Sequence, residues 1–561
     1  MTSHRLWNRM SPAIVLGLFL LPAPLAAQEP APEDSFGETI EINVVNLDVF
    51  VTDRKGQPLT GLKREDFEVF EDGKPMEITN FYAESGVAVV PSPESAAAAG
   101  TPAAPAERPP EQQLRLVIFV DDVNIAPEGR GRILGKLHDF LRSELRPGDQ
   151  VMLVRYGHTL EIRREFTGDQ ARIDADVAAL RRQSSDLGTR DATRENAVDE
   201  IVGDLEAMGG WQTAIESPIR NYSERESQRV SAALDALGSV VSWLAGVPGR
   251  KAILYVSDGL PLVPGDDIFQ WAAIRSAQMR SAFTAGANIS ALNAQSYDAS
   301  RRFRELTAEA SRNGVTIYPI EGGGTQDVRG TQIQEYLVQN QQNGLRFLAQ
   351  DTGGRAMLNI GDPLAALQLM GEDLTTYYSL GYQPQRTGDQ VEHKIEVKVK
   401  VKGAEVRHRQ WYRDKTEGES IAERTLAVMR FGPQDNPLDA RLEIGTGKEQ
   451  GDSVLLPVRV KVPLAKLYLQ PGEGKSTGRL RLYLVASGGG TTTPVRQTKL
   501  VTLEVPASDV AAVAKKEYTH EIAIRLQKGT YALGVGVRDE LAATTSYLRK
   551  DFVLGDAPAG K

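Results

Sequence analysis

Two short acidic runs stand where an α/β protein places its chemistry. Asp121-Asp122-Val123-Asn124 follows the apolar run Leu116–Val120, and Ser257-Asp258-Gly259 follows Ala252–Val256. Each apolar run reads as a strand covered on both faces. In an open α/β sheet, ligands bind beyond the carboxyl ends of the strands, where neighbouring loops converge. Both runs therefore bring carboxylates to one edge. Asp121, Asp122 and Asp258 around a cation are the acids a metal-dependent hydrolase needs. The same acids can instead cap loops or pair with arginines such as Arg130 or Arg132, and Asp258-Gly259 can simply turn the chain.

The groups that should accompany a hydrolytic site are missing. None of the six histidines forms a His-Glu-x-x-His pair, the helical spacing that a zinc protease requires. No Gly-x-Ser-x-Gly elbow occurs. With no cysteine in the chain, thiolate zinc sites, a cysteine nucleophile and a disulfide framework are all excluded. Gly472-Glu-Gly-Lys-Ser-Thr477 superficially evokes a phosphate loop, but the first glycine of that motif falls at Leu469 and no helix follows; the segment reads as a hairpin turn. Gly322-Gly-Gly324 after a strand is no dinucleotide fingerprint. Tyr377, Tyr378 and Tyr382 alternate as core and edge residues of a strand.

The elements that must position the acids alternate in type. Leu116–Val120, Val151–Val154, Ala252–Val256 and Val315–Tyr318 read as strands, with Leu160–Phe166 hairpinned to the second. Ile133, Leu137, Leu141 and Leu145 mark one face of a helix. Further helices fall at about 170–182, 230–244 and 301–312, and Tyr377–Tyr382 reads as the strand that closes the series. Strand–helix alternation implies a largely parallel sheet with helices on both faces.

Flanking segments are β-rich. Ile42 to Val51 forms one strand, and Phe67–Phe70, Glu71-Asp-Gly-Lys74 and Met76–Ile78 form a hairpin on an Asp-Gly turn. This module is too small for a core of its own and must pack on something else. A Pro/Ala-rich linker follows. Beyond Pro384, Ile395–Val401 alternates strictly and Val406–Tyr412 can pair with it. Short strands separated by turns from Ala440 onward suggest an immunoglobulin-like sandwich. The expected division is 1–27 signal peptide, 36–86 small β module, 87–113 linker, 114–385 α/β domain, 386–413 β strands, 414–439 helical linker and 440–556 β-sandwich.

Several blocks together resemble the von Willebrand factor A fold: Leu116–Asp121, Gln150–Tyr156 with Phe166-Thr-Gly-Asp169, and Gly249–Gly259. The chain is closer to an acidobacterial-type family of exported proteins related to it, with Asn46–Asp53, Asp66–Gly73, Leu348–Gly354 and Tyr377–Pro384 as further marks. The resemblance spans about residues 36–412. It implies a Rossmann-like central domain and a metal-ion-dependent adhesion site, with Asp-x-Ser-x-Ser after the first strand, a later Thr, and an Asp after the fourth strand. Its metal is usually Mg²⁺, with Ca²⁺ or Mn²⁺ as alternatives, held in an oxygen shell that a partner's carboxylate completes. Here Asp121 takes the first place, but Val123 and Ile125 stand where the serines belong. With Asp122 in that place, Asn124 supplies an oxygen. Thr189 and Asp258 fill the other two positions, although Thr189 could equally be a helix N-cap. The site so implied is Asp121, Asp122, Asn124, Thr189 and Asp258, and it is degenerate.

The stretch 190–226, with Trp211, Tyr222 and acids from Asp191 to Glu206, sits above that edge and could recognise a partner or simply cover the domain. Net charge is −9, which with no basic tract argues against nucleic acid and anionic lipid as partners. Arg5, Arg9, the apolar Ala13–Leu21 and the small Leu25-Ala-Ala27 form a signal peptide, giving an expected periplasmic or secreted chain with no membrane span after it. The expected function is binding or adhesion to an unidentified protein partner through the domain's carboxyl edge, with cation dependence open. A metal-free structural envelope protein is the alternative, and a metal-dependent hydrolase stands behind both.

Overall fold

The computed structural model describes residues 44–84, 108–109, 112–157, 159–183, 199–200, 212–270, 296–323, 332–384, 391–413, 415–432, 435–451, 453–488 and 494–555. The expected signal peptide, most of the linker, Thr189 and Trp211 lie outside them. Among the described residues no helix is long and apolar enough to cross a membrane.

The first four strands are β1 (Val45–Thr52), β2 (Phe67–Glu71), β3 (Lys74–Met76) and β4 (Ile78–Glu84). Asp72 and Gly73 take φ of 50° and 77° at the β2–β3 turn, the left-handed pair that an Asp-Gly hairpin favours. β1, β2 and β4 pair with strands more than 290 residues later in the chain, whereas β3 pairs with β2. The later strands of this domain are β10 (Tyr377–Tyr382), β11 (Glu392–Val399), β12 (Glu405–Arg407) and β13 (Trp411–Arg413). Two four-stranded sheets result, β12-β1-β10-β4 and β13-β11-β2-β3. One core joins them, with Leu47, Val49, Val69, Leu380, Tyr382, Ile395 and Val397 buried together.

This arrangement corrects the reading of Tyr377–Tyr382 as the strand closing the α/β series. β10 lies between β1 and β4, antiparallel to both. Its apolar and aromatic residues suit any covered strand, so their pattern did not reveal which sheet they enter. Val406–Tyr412 also divides: β12 pairs with β1, and only β13 pairs with β11.

Everything between β4 and β10 is therefore an insertion into a split β domain. Its sheet contains β5 (Leu114–Asp121), β6 (Gln150–Tyr156), β7 (Leu160–Thr167), β8 (Arg250–Val256) and β9 (Val315–Ile320), in the order β7-β6-β5-β8-β9. β6, β5, β8 and β9 are parallel and β7 is antiparallel at the edge. Met357 bridges beside Ile320 in parallel, in the position of a sixth strand. This is the doubly wound order, which reverses between β5 and β8.

Helices cover both faces. α1 (Pro127–Glu144), α2 (Gln170–Arg182) and α6 (Pro363–Thr375) bury Ile133, Leu137, Ile173 and Leu367 against Leu116, Ile118 and Val120. α3 (Gln212–Leu244), α4 (Ser300–Arg312) and α5 (Gln332–Thr352) bury Leu237, Val241, Phe303 and Leu345 against Val117, Phe119 and Ile253. Alternate residues of one strand thus serve opposite cores, which is why the strand sequences are apolar throughout.

α7 (Glu417–Phe431) follows β13. Its start is fixed by a capping box: Thr416 Oγ1 accepts from Glu419 N–H at 3.2 Å, and Glu419 Oε2 accepts from Thr416 N–H at 3.0 Å, an arrangement that satisfies two otherwise open donors. Beyond it, β14 (Arg441–Ile444), β15 (Lys448–Gln450), β16 (Ser453–Pro463) and β20 (Glu517–Leu526) form one sheet. β17 (Gln470–Pro471), β18 (Lys475–Gly488), β19 (Val495–Pro506), β21 (Gly529–Asp539) and β22 (Thr544–Leu554) form the other. Inward residues of both, such as Leu456, Val458, Leu482 and Val535, share one core. Gly472–Lys475 is the β17–β18 turn, closed by Gly472 N–H donating to the Lys475 carbonyl at 2.9 Å, so it cradles no phosphate.

α7 lies directly on β21. A Cβ at Gly534 would stand 2.6 Å from the Thr425 carbonyl oxygen, and one at Gly536 would stand 2.5 Å from Thr425 Oγ1. The two bare positions allow the helix this approach. Gly534→Val should push α7 off the sheet and destabilise the chain by about 1–3 kcal/mol; an unchanged urea midpoint would show that the approach carries no weight.

Candidate functional site

The acids flagged in the sequence do meet at one place. Asp121 ends β5, and Ser257 and Asp258 follow β8, at the point where strand order reverses. Asp258 N–H donates to the Asn124 carbonyl at 2.7 Å, tying the two loops together. Asp121, Asp122, Asn124 and Ser257 are all buried.

Each carboxylate is occupied by protein donors. Asp121 accepts from Asn124 Nδ2 at 2.9 and 3.1 Å, from Asn124 N–H at 3.2 Å and from the Tyr255 hydroxyl at 2.5 Å. Burial and the Asp121 charge push the Tyr255 hydroxyl well above its ordinary pKa, so it remains a donor at any physiological pH. Asp122 holds two guanidiniums, Arg130 Nη1 on Oδ1 at 2.8 Å and Arg155 Nε on Oδ2 at 2.5 Å. Asp258 Oδ2 accepts from Ala126 N–H at 2.7 Å, at the start of α1. A fourth acid, Glu321, follows β9 and accepts from Gln342 Nε2 at 3.1 Å and Asn359 N–H at 2.7 Å.

These residues do not fit a Mg²⁺ site. A hard dication needs about six oxygens converging on one point. Asp122 faces away into two positive charges, Asn124 presents its amide N–H groups to Asp121, and Ile125 is fully buried in the core. Among the described residues no group of three His, Cys, Asp or Glu side chains is placed to hold a metal. The hydroxyl beside them, Ser257 Oγ, is buried, 3.5 Å from Asp121 Oδ2 and 3.3 Å from the Asn124 carbonyl oxygen. Close packing limits the space further: a Cβ at Gly129 would stand 2.4 Å from the Gly322 carbonyl oxygen, and one at Gly322 would stand 2.9 Å from Asp258 Oδ1.

Arg130, a candidate partner for these acids from the sequence, pairs with Asp122. Arg132 donates instead to the Gly322 carbonyl. Arg155 and Tyr255 were missed, although each is a polar residue inside an otherwise apolar strand, which is the available signal. Tyr222, in the stretch 190–226, is buried in α3, with its hydroxyl 3.4 Å from Asp267 Oδ2, and so belongs to the covering part of that stretch.

No family model and no curated protein matches the sequence. Among solved structures, an aerotolerance-related membrane protein from Bacteroides fragilis is 10% identical over 46% of this chain and 98% of its own, with a TM-score of 0.23. The manganese-loaded TRAP protein of Plasmodium vivax is 11% identical over 54% of this chain and 95% of its own, also at 0.23. Neither bears on activity at that similarity. The α/β unit is defined by its own strand order and register.

Removing one member of a buried ion cluster leaves the others desolvated and uncompensated. Asp122→Ala should cost about 3–5 kcal/mol of stability, read as a fall in the denaturant midpoint. A loss below about 1 kcal/mol, typical of exposed pairs, would contradict the assignment of Asp122 as the electrostatic anchor of this edge.

Proposed function

We propose that the chain is an exported, non-catalytic binding protein. Its von Willebrand factor A-like unit engages a protein partner through the carboxyl edge of the parallel sheet, with no divalent cation at Asp121, Asp122 and Asp258. The lengths of the connections carry this reading. At the amino edge they are short: residues 145–149, 245–249 and 313–314. At the carboxyl edge more of the chain intervenes between the described elements: 183–211 before α3 and 257–299 between β8 and α4, of which 199–200 and 266–270 are helical, and 321–331 between β9 and α5. Chain inserted between the elements of a rigid scaffold is where binding function concentrates. The hydrogen-bonded acids Asp121, Asp122 and Asp258 support that reading by tying together the loops after β5 and β8. The split β domain and the C-terminal sheets serve as supports.

The test uses the full chain and two variants, with 184–211 or 271–295 replaced by a short Gly/Ser linker. Crosslinking in an envelope fraction should capture a defined protein with the parent and lose it with at least one variant, at unchanged thermal stability. Chelator should alter neither capture nor melting temperature. Capture that survives both replacements would rule out the edge as the binding surface, and capture abolished by chelator would restore a cation to the mechanism.

A further inference from the structure

The amino edge of the same sheet faces the split β domain, and the space between them is unlike the carboxyl edge in charge. A cavity of about 460 Å³ lies there, lined by the start of β8, the start of β9 and the outer faces of β1, β4 and β10. A second, of about 400 Å³, continues toward α7. Asn46, Lys251, Gly314 and Arg409 line both. Volumes of this size are those of small-molecule sites.

The walls carry an excess of positive charge. Their carboxylates are already engaged: Asp48 with Arg250 at 3.0 Å, and Glu423 with Lys415 at 2.6 Å. Lys251 and Arg409 have no carboxylate within ion-pair distance among the described residues. Lys251 Nζ donates to the Val247 carbonyl at 3.2 Å. Arg409 donates to the carbonyls of Ser311 and Asn46, each at 2.8 Å. The two approach one another across Gly314: Arg409 Nη1 and Lys251 Cε lie 3.9 and 4.0 Å from the point its Cβ would occupy. Arg424, stacked over Tyr547 at 5.0 Å, adds a further charge to the second cavity.

A partly desolvated charge without a counter-ion is unfavourable unless something offsets it. We propose that this interdomain cavity is a binding site for a dianionic oxyanion, a phosphate or sulfate group, held between Lys251 and Arg409. The class follows from the chemistry of the walls. Arg presents a planar fork of donors and Lys a mobile point charge, the pair that commonly holds tetrahedral oxyanions. Phe81, Tyr82 and Tyr377 line the larger cavity and offer an apolar wall to an organic remainder.

Protein surrounds Lys251 while the cavity keeps it in partial contact with solvent. Desolvation, then the charges of Lys415 and Arg409, lower its pKa to about 8, against a smaller opposing effect of Glu423 and Asp48. An anion that needs the ammonium form therefore binds fully below pH 8 and is lost as pH rises through it. Sulfate keeps its own charge constant across that range, so it isolates the response of the protein.

Sulfate titrations of the full chain by calorimetry, at constant ionic strength in chloride, test the site. One sulfate per chain should bind, with affinity falling roughly tenfold from pH 7.5 to pH 9. Lys251→Met should abolish binding. Lys251→Arg should retain it with a flat pH profile, and this comparison decides the matter if the Met variant does not fold. Phenyl phosphate binding more tightly than inorganic phosphate would assign the site to an esterified head group, and equal binding would assign it to the free ion. No saturable sulfate binding, equal binding by Lys251→Met, or a profile in the parent as flat as that of Lys251→Arg would each overturn the proposal. None of these outcomes depends on the partner-binding edge.

Discussion

Strand β10 pairs with β1 along one side and β4 along the other, and the layout of the chain rests on that pairing. Glu84 and Tyr377 stand opposite each other in register, so the α/β unit leaves and re-enters the β domain at a single point. Closing so long a loop is less unfavourable than its length suggests, because the entropy grows only with the logarithm of loop length. The inserted unit also folds around cores of its own, on both faces of its sheet. β10 then completes a domain whose first four strands cannot enclose a core alone.

Both edges of the central sheet carry charge, and they treat it in opposite ways. At the carboxyl edge, acids are packed among donors until no oxygen set converges. At the amino edge, basic side chains line open space. The first arrangement ties loops together, as where Asp258 N–H donates to the Asn124 carbonyl. The second leaves an unbalanced field inside the protein. The adhesion-site chemistry implied by the resemblance would require the first edge to behave like the second, with ligands held open. Asp122, paired with Arg130 and Arg155, is not held open in that way.

Much of the fold could be read from residue order. Covered strands such as Leu116–Val120 and Ala252–Val256 are runs too apolar for a half-exposed position, and the helices between them keep a clear period. The Asp72-Gly73 turn is a local signal that needs no tertiary context. What the pattern could not reveal was partnership across long separations. Tyr377–Tyr382 has the composition of any buried strand, and its place beside β1 depends on residues some 330 positions earlier. The site behaved likewise: the acids were visible, but whether they face a cation or a guanidinium depended on Arg155, one polar residue in a buried strand.

The split β domain has a mechanical consequence. Pulled from β1 at one end and from α7 and the C-terminal sheets at the other, the chain passes load through β1, β10, β11 and β13. The α/β unit hangs from this line at the β4–β10 junction and is not in series with it. Tension between the two ends would reach the carboxyl edge of the inserted sheet only after β4 and β10 had parted. The inserted unit is thus shielded from stretching of its own support.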